Sequence, residues 1–220
     1  MLEHFNNAYS RRSENTGGAN PFLCHPDEIK YRQYGALVTD ELADKELVHA
    51  GTPFEVDLKA HTAKFMKVWE VLNVTASGSN SVITLAASWL APALAATDVV
   101  MKVPASISGT GKAVAAGTVT ENSDGTISIT VVTANFDTVA AGDFLSLAAE
   151  AGSAKALAVK GNAVLTRDLY AGNAQNFVDI ARGEVYCYVN TCNGIPAGVI
   201  AAAREIGQFI EPEYFAEVTA

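Results

Sequence analysis

The chain has 220 residues, 49% hydrophobic and 18% charged, with a net charge of −9 and a pI near 4.9. A mean hydropathy of +0.15 is too apolar for a disordered chain, and the acidic balance excludes the basic face that phosphate binding needs. No Lys or Arg run exceeds the pair Arg11-Arg12, and the longest apolar stretch, 82–103, is interrupted by Pro92 and Asp98, so neither a nucleic-acid partner nor a membrane span is expected.

Charge density divides the chain. Residues 1–74 hold 8 basic and 11 acidic side chains, residues 75–157 hold 3 and 6, and residues 158–220 hold 4 and 7. The middle third is rich in Ala, Ser, Thr and Gly instead, which suggests an inserted module with packing of its own. The expected organisation is an extended arm (1–35), a discontinuous base (36–74 plus 158–220) and an inserted β-rich module (75–157).

The arm has turn formers, prolines and no sustained period, so it reads as extended. Phe5, Tyr9, Phe22, Leu23, Ile29, Tyr31 and Tyr34 are anchors that a solvated tail does not need. Its opening residues are polar and acidic and do not read as a signal peptide. After the turn Ala50-Gly51-Thr52-Pro53, the residues Phe54, Val56 and Leu58 alternate with Glu55, Asp57 and Lys59, as in a half-buried strand. Phe65, Val68, Trp69, Val71 and Leu72 fit a short helix or a strand, and the density of β-formers favours a strand over 67–75.

The middle third carries short alternating runs at 82–87, 99–103, 113–120, 126–133 and 144–149. Asn122-Ser123-Asp124-Gly125 lies between two of them as a hairpin turn. Strands at this spacing suggest a small β-sandwich or barrel. SWLAPALAAT (88–97) fits one or two helical turns broken at Pro92. The last third predicts strands at 161–166, 177–181 and 184–189. One helix follows over 196–207, with Pro196 at its start, Gly207 as its stop and Val199, Ile200, Ala203 and Ile206 on one face. The fold class is therefore mainly β: a β-rich base with one short C-terminal helix, the inserted module, and the arm.

Tests for chemistry fail in turn. SGTGKA (108–113) imitates a phosphate-binding loop, but the required first Gly is Ser106 and the required Ser or Thr after Lys112 is Ala113. His4, His25, His49 and His61 show no metal-ligand spacing, and Cys24, Cys187 and Cys192 form an odd set suited to a reducing cytoplasm. No nucleophile elbow is present, and the adjacent carboxylates Asp27-Glu28 and Asp40-Glu41 point to opposite faces of an extended chain. The reading is a non-enzyme with no cofactor and no metal. Asn73-Val74-Thr75 matches a glycosylation sequon, incidental without a secretion signal.

The flanking thirds resemble the phage-λ head decoration protein family. The residues that carry the resemblance are Ala50-Gly51-Thr52-Pro53, then 163–165 followed by Arg167-Asp168, then 178–180 followed by Gly183-Glu184-Val185, then the helix 196–207 and Phe209-Ile210. The match covers about half the chain and none of the arm or the middle third. It implies a homotrimer on the outer capsid surface of a tailed-phage head, made in the bacterial host cytoplasm, with the major capsid protein as partner. It also implies an N-terminal arm that orders against the shell by strand pairing. The residues suited to that role here are Asn20, Pro21, Phe22, Leu23, Ile29, Tyr31 and Tyr34. The inserted module departs from the family pattern. The alternative reading makes the chain a head fibre or surface-binding module that recognises a host glycan. Trp89, the only aromatic between Thr75 and Asn135, leaves that module little for sugar stacking.

Overall fold

A computed structural model describes residues 30–31, 35–42, 46–86, 93–172, 175–188 and 194–213. It is mainly β, with one short α-helix near the C-terminus. The first strands are β1 (Lys30–Tyr31), β2 (Ala36–Val38), β3 (Leu47–Val48), β4 (Pro53–Asp57) and β5 (Thr62–Phe65). The expected alternation appears in β4, where Phe54 and Val56 are buried, Glu55 is half-buried and Asp57 is exposed. The β4–β5 turn is tight. The Asp57 carboxylate accepts the N–H groups of Lys59 (2.8 Å) and Ala60 (3.0 Å), and His61 takes a left-handed φ of 55° to rejoin the sheet.

The next strands build a barrel: β6 (Val68–Ser77), β7 (Asn80–Leu85), β8 (Val99–Lys102), β9 (Thr110–Ala115), β10 (Thr118–Glu121), β11 (Ile127–Val132) and β12 (Phe144–Leu147). The predicted strand over 67–75 is β6, longer at its far end. It pairs with β12 through 68–70 and with β7 through 71–77, and the register shifts at Leu72. The run at 113–120, read as one strand, is two. Ala116 and Gly117 separate β9, which pairs with β8, from β10, which pairs with β11. Gly117 makes the corner with φ 70°, which only glycine adopts at little cost. Strand pairing therefore runs from β10 through β11, β7, β6, β12 and β8 to β9, and the chain itself joins β9 to β10 at the Ala116-Gly117 corner to complete the circuit. Two bent strands at opposite corners remove the edges an open sheet would leave. β13 (Gly152–Ala156) lies outside this circuit on the free side of β9.

One apolar cluster fills the barrel: Trp69, Val71, Ile83, Leu85, Val100, Ile129, Val131 and Leu145 among its buried members. The β6–β12–β8–β9 wall is buried on both sides. Val100, Val114 and Leu145 face the interior, whereas Val99, Met101, Ala113 and Phe144 belong to a second cluster outside it.

That second cluster joins the barrel to the C-terminal elements. These are β14 (Ala163–Val164), β15 (Leu169–Tyr170), β16 (Phe177–Val178), β17 (Ala181–Tyr188), α1 (Ala197–Glu205) and β18 (Gln208–Glu213). Met101, Val103, Ala113, Ala148 and Leu157 pack with Val164, Val185, Val199, Ala203 and Ile210. Pro196, the expected first helical residue, is instead the cap of α1 with φ −56° and ψ 134°, so the helix starts one residue later than expected, and Gly207 follows its end with φ 87°. The helix lies so close to the segment after β8 that a Cβ on Gly198 would stand 2.9 Å from the Ala105 carbonyl oxygen. It also links β17 to β18, which pair in parallel. The rest of the base is a five-stranded sheet ordered β14-β4-β5-β2-β16, and the β15–β3 pair. Of the expected helical turns over 88–97, positions 88–92 lie outside the described residues, and 93–97 form no helix.

Candidate functional site

The site predicted from sequence is the arm. Asn20, Pro21, Phe22, Leu23, Ile29 and Tyr34 lie outside the described residues, and Tyr31 is the one member that can be followed. It sits in β1, opposite Ala181 of β17, with Lys30 opposite Arg182. Its side chain is half-buried against the cluster shared by barrel and base. The Arg167 guanidinium lies 5.0 Å from the Tyr31 ring centroid and also pairs with Asp179. A cation over an aromatic face adds to ring burial without needing a buried charge.

From Gly35 onward the chain again meets the same stretch of the C-terminal third. Gly35 takes φ 51° so close to Val178 that a Cβ there would come within 2.6 Å of the Val178 carbonyl oxygen. Ala36 and Leu37 then pair with Val178 and Phe177. The root of the arm is thus fastened by strand pairing on both sides of a glycine corner.

Beneath this root lies a node built from the motifs quoted above. Asp168 accepts the Ala50 N–H at 2.9 Å, the Gly51 N–H donates to the Leu165 carbonyl at 2.7 Å, and the Leu165 N–H returns to the Thr52 carbonyl at 3.0 Å. The AGTP turn and the Arg-Asp pair are in direct contact. Asp168 turns inward to the turn, while Arg167 faces Tyr31 and Asp179. His49 stands beside Asp168 with 4.0 Å between Nδ1 and Oδ1. Burial pushes the His49 pKa below its ordinary value, and the nearby Asp168 charge offsets part of that effect.

Two amide side chains complete the node by imitating a strand. Gln208, fully buried, accepts the Val164 N–H at 2.8 Å and donates to the Val164 carbonyl at 2.9 Å. Asn162 does the same for Val56, at 2.8 and 3.1 Å. Neither was singled out from sequence, because a lone Gln or Asn carries no spacing signal for a partner that distant in the chain. Thr166 is buried next to the node, and its Oγ1 is the one buried side-chain polar atom among the described residues without a hydrogen-bond partner.

The remaining chemistry-bearing residues are dispersed. The Asp40 carboxylate accepts the Phe65 N–H at 2.6 Å, while Glu41 is exposed. In the SGTGKA segment the Gly109 N–H bonds the Ser106 carbonyl at 2.8 Å, the Lys112 N–H bonds Asp137, and the Lys112 ammonium bonds the Ala134 carbonyl. It is a turn leading into β9. Among the described residues no three His, Cys, Asp or Glu side chains come together to hold a metal, and no helix is long and apolar enough to cross a membrane. An open cleft of about 610 Å³ runs along β4 and β5, with Glu55, Asp57, Lys59 and Lys64 at its rim.

The fold and site define a β-rich protein whose arm root is built into its own sheet. Neither family models, nor curated proteins, nor solved structures give a match to this chain.

Proposed function

We propose that this chain is a structural virion protein, a decoration protein on the outer surface of a tailed-phage head. It binds the major capsid protein as a homotrimer and stabilises the shell. The observation that carries the reading is the fastening of the arm root. β1 pairs along β17 with Tyr31 held under Arg167, which fixes the point to which the segment ahead of it is attached. An arm launched that way suits strand addition to a neighbour, where main-chain hydrogen bonds supply affinity and Phe22 and Leu23 fill pockets. The contact between the AGTP turn and Asp168 adds support, because the two motifs of the resemblance form one structural unit. Weak contacts become firm when three copies share a trimer and many trimers share a lattice.

The test is co-sedimentation with DNA-filled heads. The full chain should pellet with heads and run as a trimer by light scattering. A chain lacking residues 1–23 should keep its circular dichroism spectrum and lose attachment. Undiminished attachment of the truncated chain would remove the arm from the binding role.

A further inference from the structure

We propose that the outer face of the barrel wall formed by β6, β7, β11 and β10 is a contact surface for a second copy of this chain. Ile83, Leu85, Ile129 and Val131 fill the barrel, with Val74 and Val119 packed beside them. Side chains alternate along a strand, so the residues between these face outward. The register sets them in rows across the wall. One row is Thr118, Thr130, Val82 and Thr75, and the next is Thr120, Ser128, Thr84 and Asn73. Leu72, at the register shift of β6, and Val132, at the end of β11, stand at opposite ends of the face, and both are exposed.

Neither row carries a charged side chain. The acidic residues Glu70 and Asp124 lie beyond one end of the face. The outward side of the β4–β5 pair is built differently: it sets Glu55 opposite Lys64 and adds Asp57.

This pattern selects the occupant. A partner recognised through ion pairs finds none to make on these rows. A copy of this chain brings a net charge of −9, and it meets least repulsion where both surfaces are neutral. Hydroxyl groups and side-chain amides each donate and accept hydrogen bonds, so a face of Thr, Ser and Asn is complementary to itself. Leu72, Val82 and Val132 add apolar area to bury.

A face that meets its own equivalent does so about a two-fold axis. Four strands about 4.8 Å apart and about 20 Å long offer about 400 Å², half of what one partner gives to a standard interface. The contact is therefore weak and reversible, and it does not close a trimer. It stands independently of the decoration reading. One consequence rests on that reading: two-fold contacts through this face link neighbouring trimers, and weak links add up across a lattice.

The experiment is sedimentation equilibrium on the purified full chain without heads, so its failure is separate from failure of attachment. The weight-average mass should rise toward twice that of the smallest species as concentration increases to about 0.3 mM. The rise should be steeper in about 0.5 M NaCl than in about 0.05 M, because salt screens the like charges of the two copies. Thr130→Lys and Thr130→Glu, near the middle of the face, should each weaken association about tenfold, and an equal mixture of the two variants should restore it. Thr120→Lys and Thr120→Glu, at an exposed position of β10, take their place if the first pair fails to fold. Four results overturn the proposal: a mass that does not change with concentration, association that weakens with salt, variants that associate as the parent does, or a mixture that associates no better than its components.

Discussion

The barrel and the base solve the same problem by different means. In the barrel the main chain closes its own circuit, with strands up to ten residues long and an interior lined by apolar side chains. The base sets, beside the longer β17–β18 pair, four strands of two residues, β3, β14, β15 and β16, that run out of partners after a pair or two. There side chains finish what the main chain cannot, through Gln208 on Val164, Asn162 on Val56 and Asp168 on Ala50. Two of the three buried polar residues among those described, Thr166 and Gln208, accordingly lie in the base. A closed sheet tolerates a purely apolar interior, whereas a patchwork of small sheets needs placed polar groups, because buried main-chain groups must be paired.

The sharpest way to break the comparison is to separate the two regions. Deleting residues 75–157 behind a short Gly-Ser bridge removes Met101, Val103, Ala113, Ala148 and Leu157 from the shared cluster, and strips one side from Val199 and Ala203. Loss of the cooperative unfolding transition and aggregation are expected. A monodisperse fragment with a sharp melt would show that the base carries a sufficient core of its own.

Single substitutions compare the two devices directly. Trp69 is fully buried inside the barrel, and Trp69→Ala should cost about 3–5 kcal/mol, read as a lowered urea midpoint at unchanged slope. Gln208→Leu keeps volume but leaves the N–H and carbonyl of Val164 without their partner, and should cost about 1–3 kcal/mol. If Gln208→Leu proved neutral, the strand-mimicking amide would be dispensable and the contrast between the regions would lose its basis.

What could be read from sequence follows the same division. Half-buried strands announce themselves by alternation, so β4, β7, β8, β11 and β12 fall where the pattern puts them. The Asn122–Gly125 hairpin was equally legible: the Asp124 carboxylate accepts the Thr126 N–H and hydroxyl, and Gly125 supplies φ 83°. The corner at Ala116-Gly117 was not legible, since alternation runs through it and only the change of partner reveals the break. The two-residue strands β3 and β15 were equally hidden as paired elements, because their stability comes from residues far away in the chain, whereas β16 is the first part of the strand expected over 177–181. The candidate arm was legible as a set of anchors without positions. That Tyr31 would meet Arg167 needed the fold, since neither residue carries a signal for the other.

The smallest expected effect belongs to His49 in the base. Its imidazole is packed next to Asp168, whose Oδ1 is already committed to the Ala50 N–H. Burial lowers its folded-state pKa below the ordinary value of 6.5, and the Asp168 charge restores only part of the loss. Between the folded and unfolded values the unfolded chain binds a proton that the folded chain refuses, so acid favours unfolding there. The stabilising contribution is complete above the unfolded value, declines as the pH falls from about 6.5, and stops changing below the folded value. His49→Gln removes this titration. Urea midpoints of both proteins, taken from about pH 7.5 to about pH 5.5, should show the parent losing more stability than the variant across that window. Parallel profiles would mean that His49 titrates alike folded and unfolded, and that the node beneath the arm is more open to water than its packing implies.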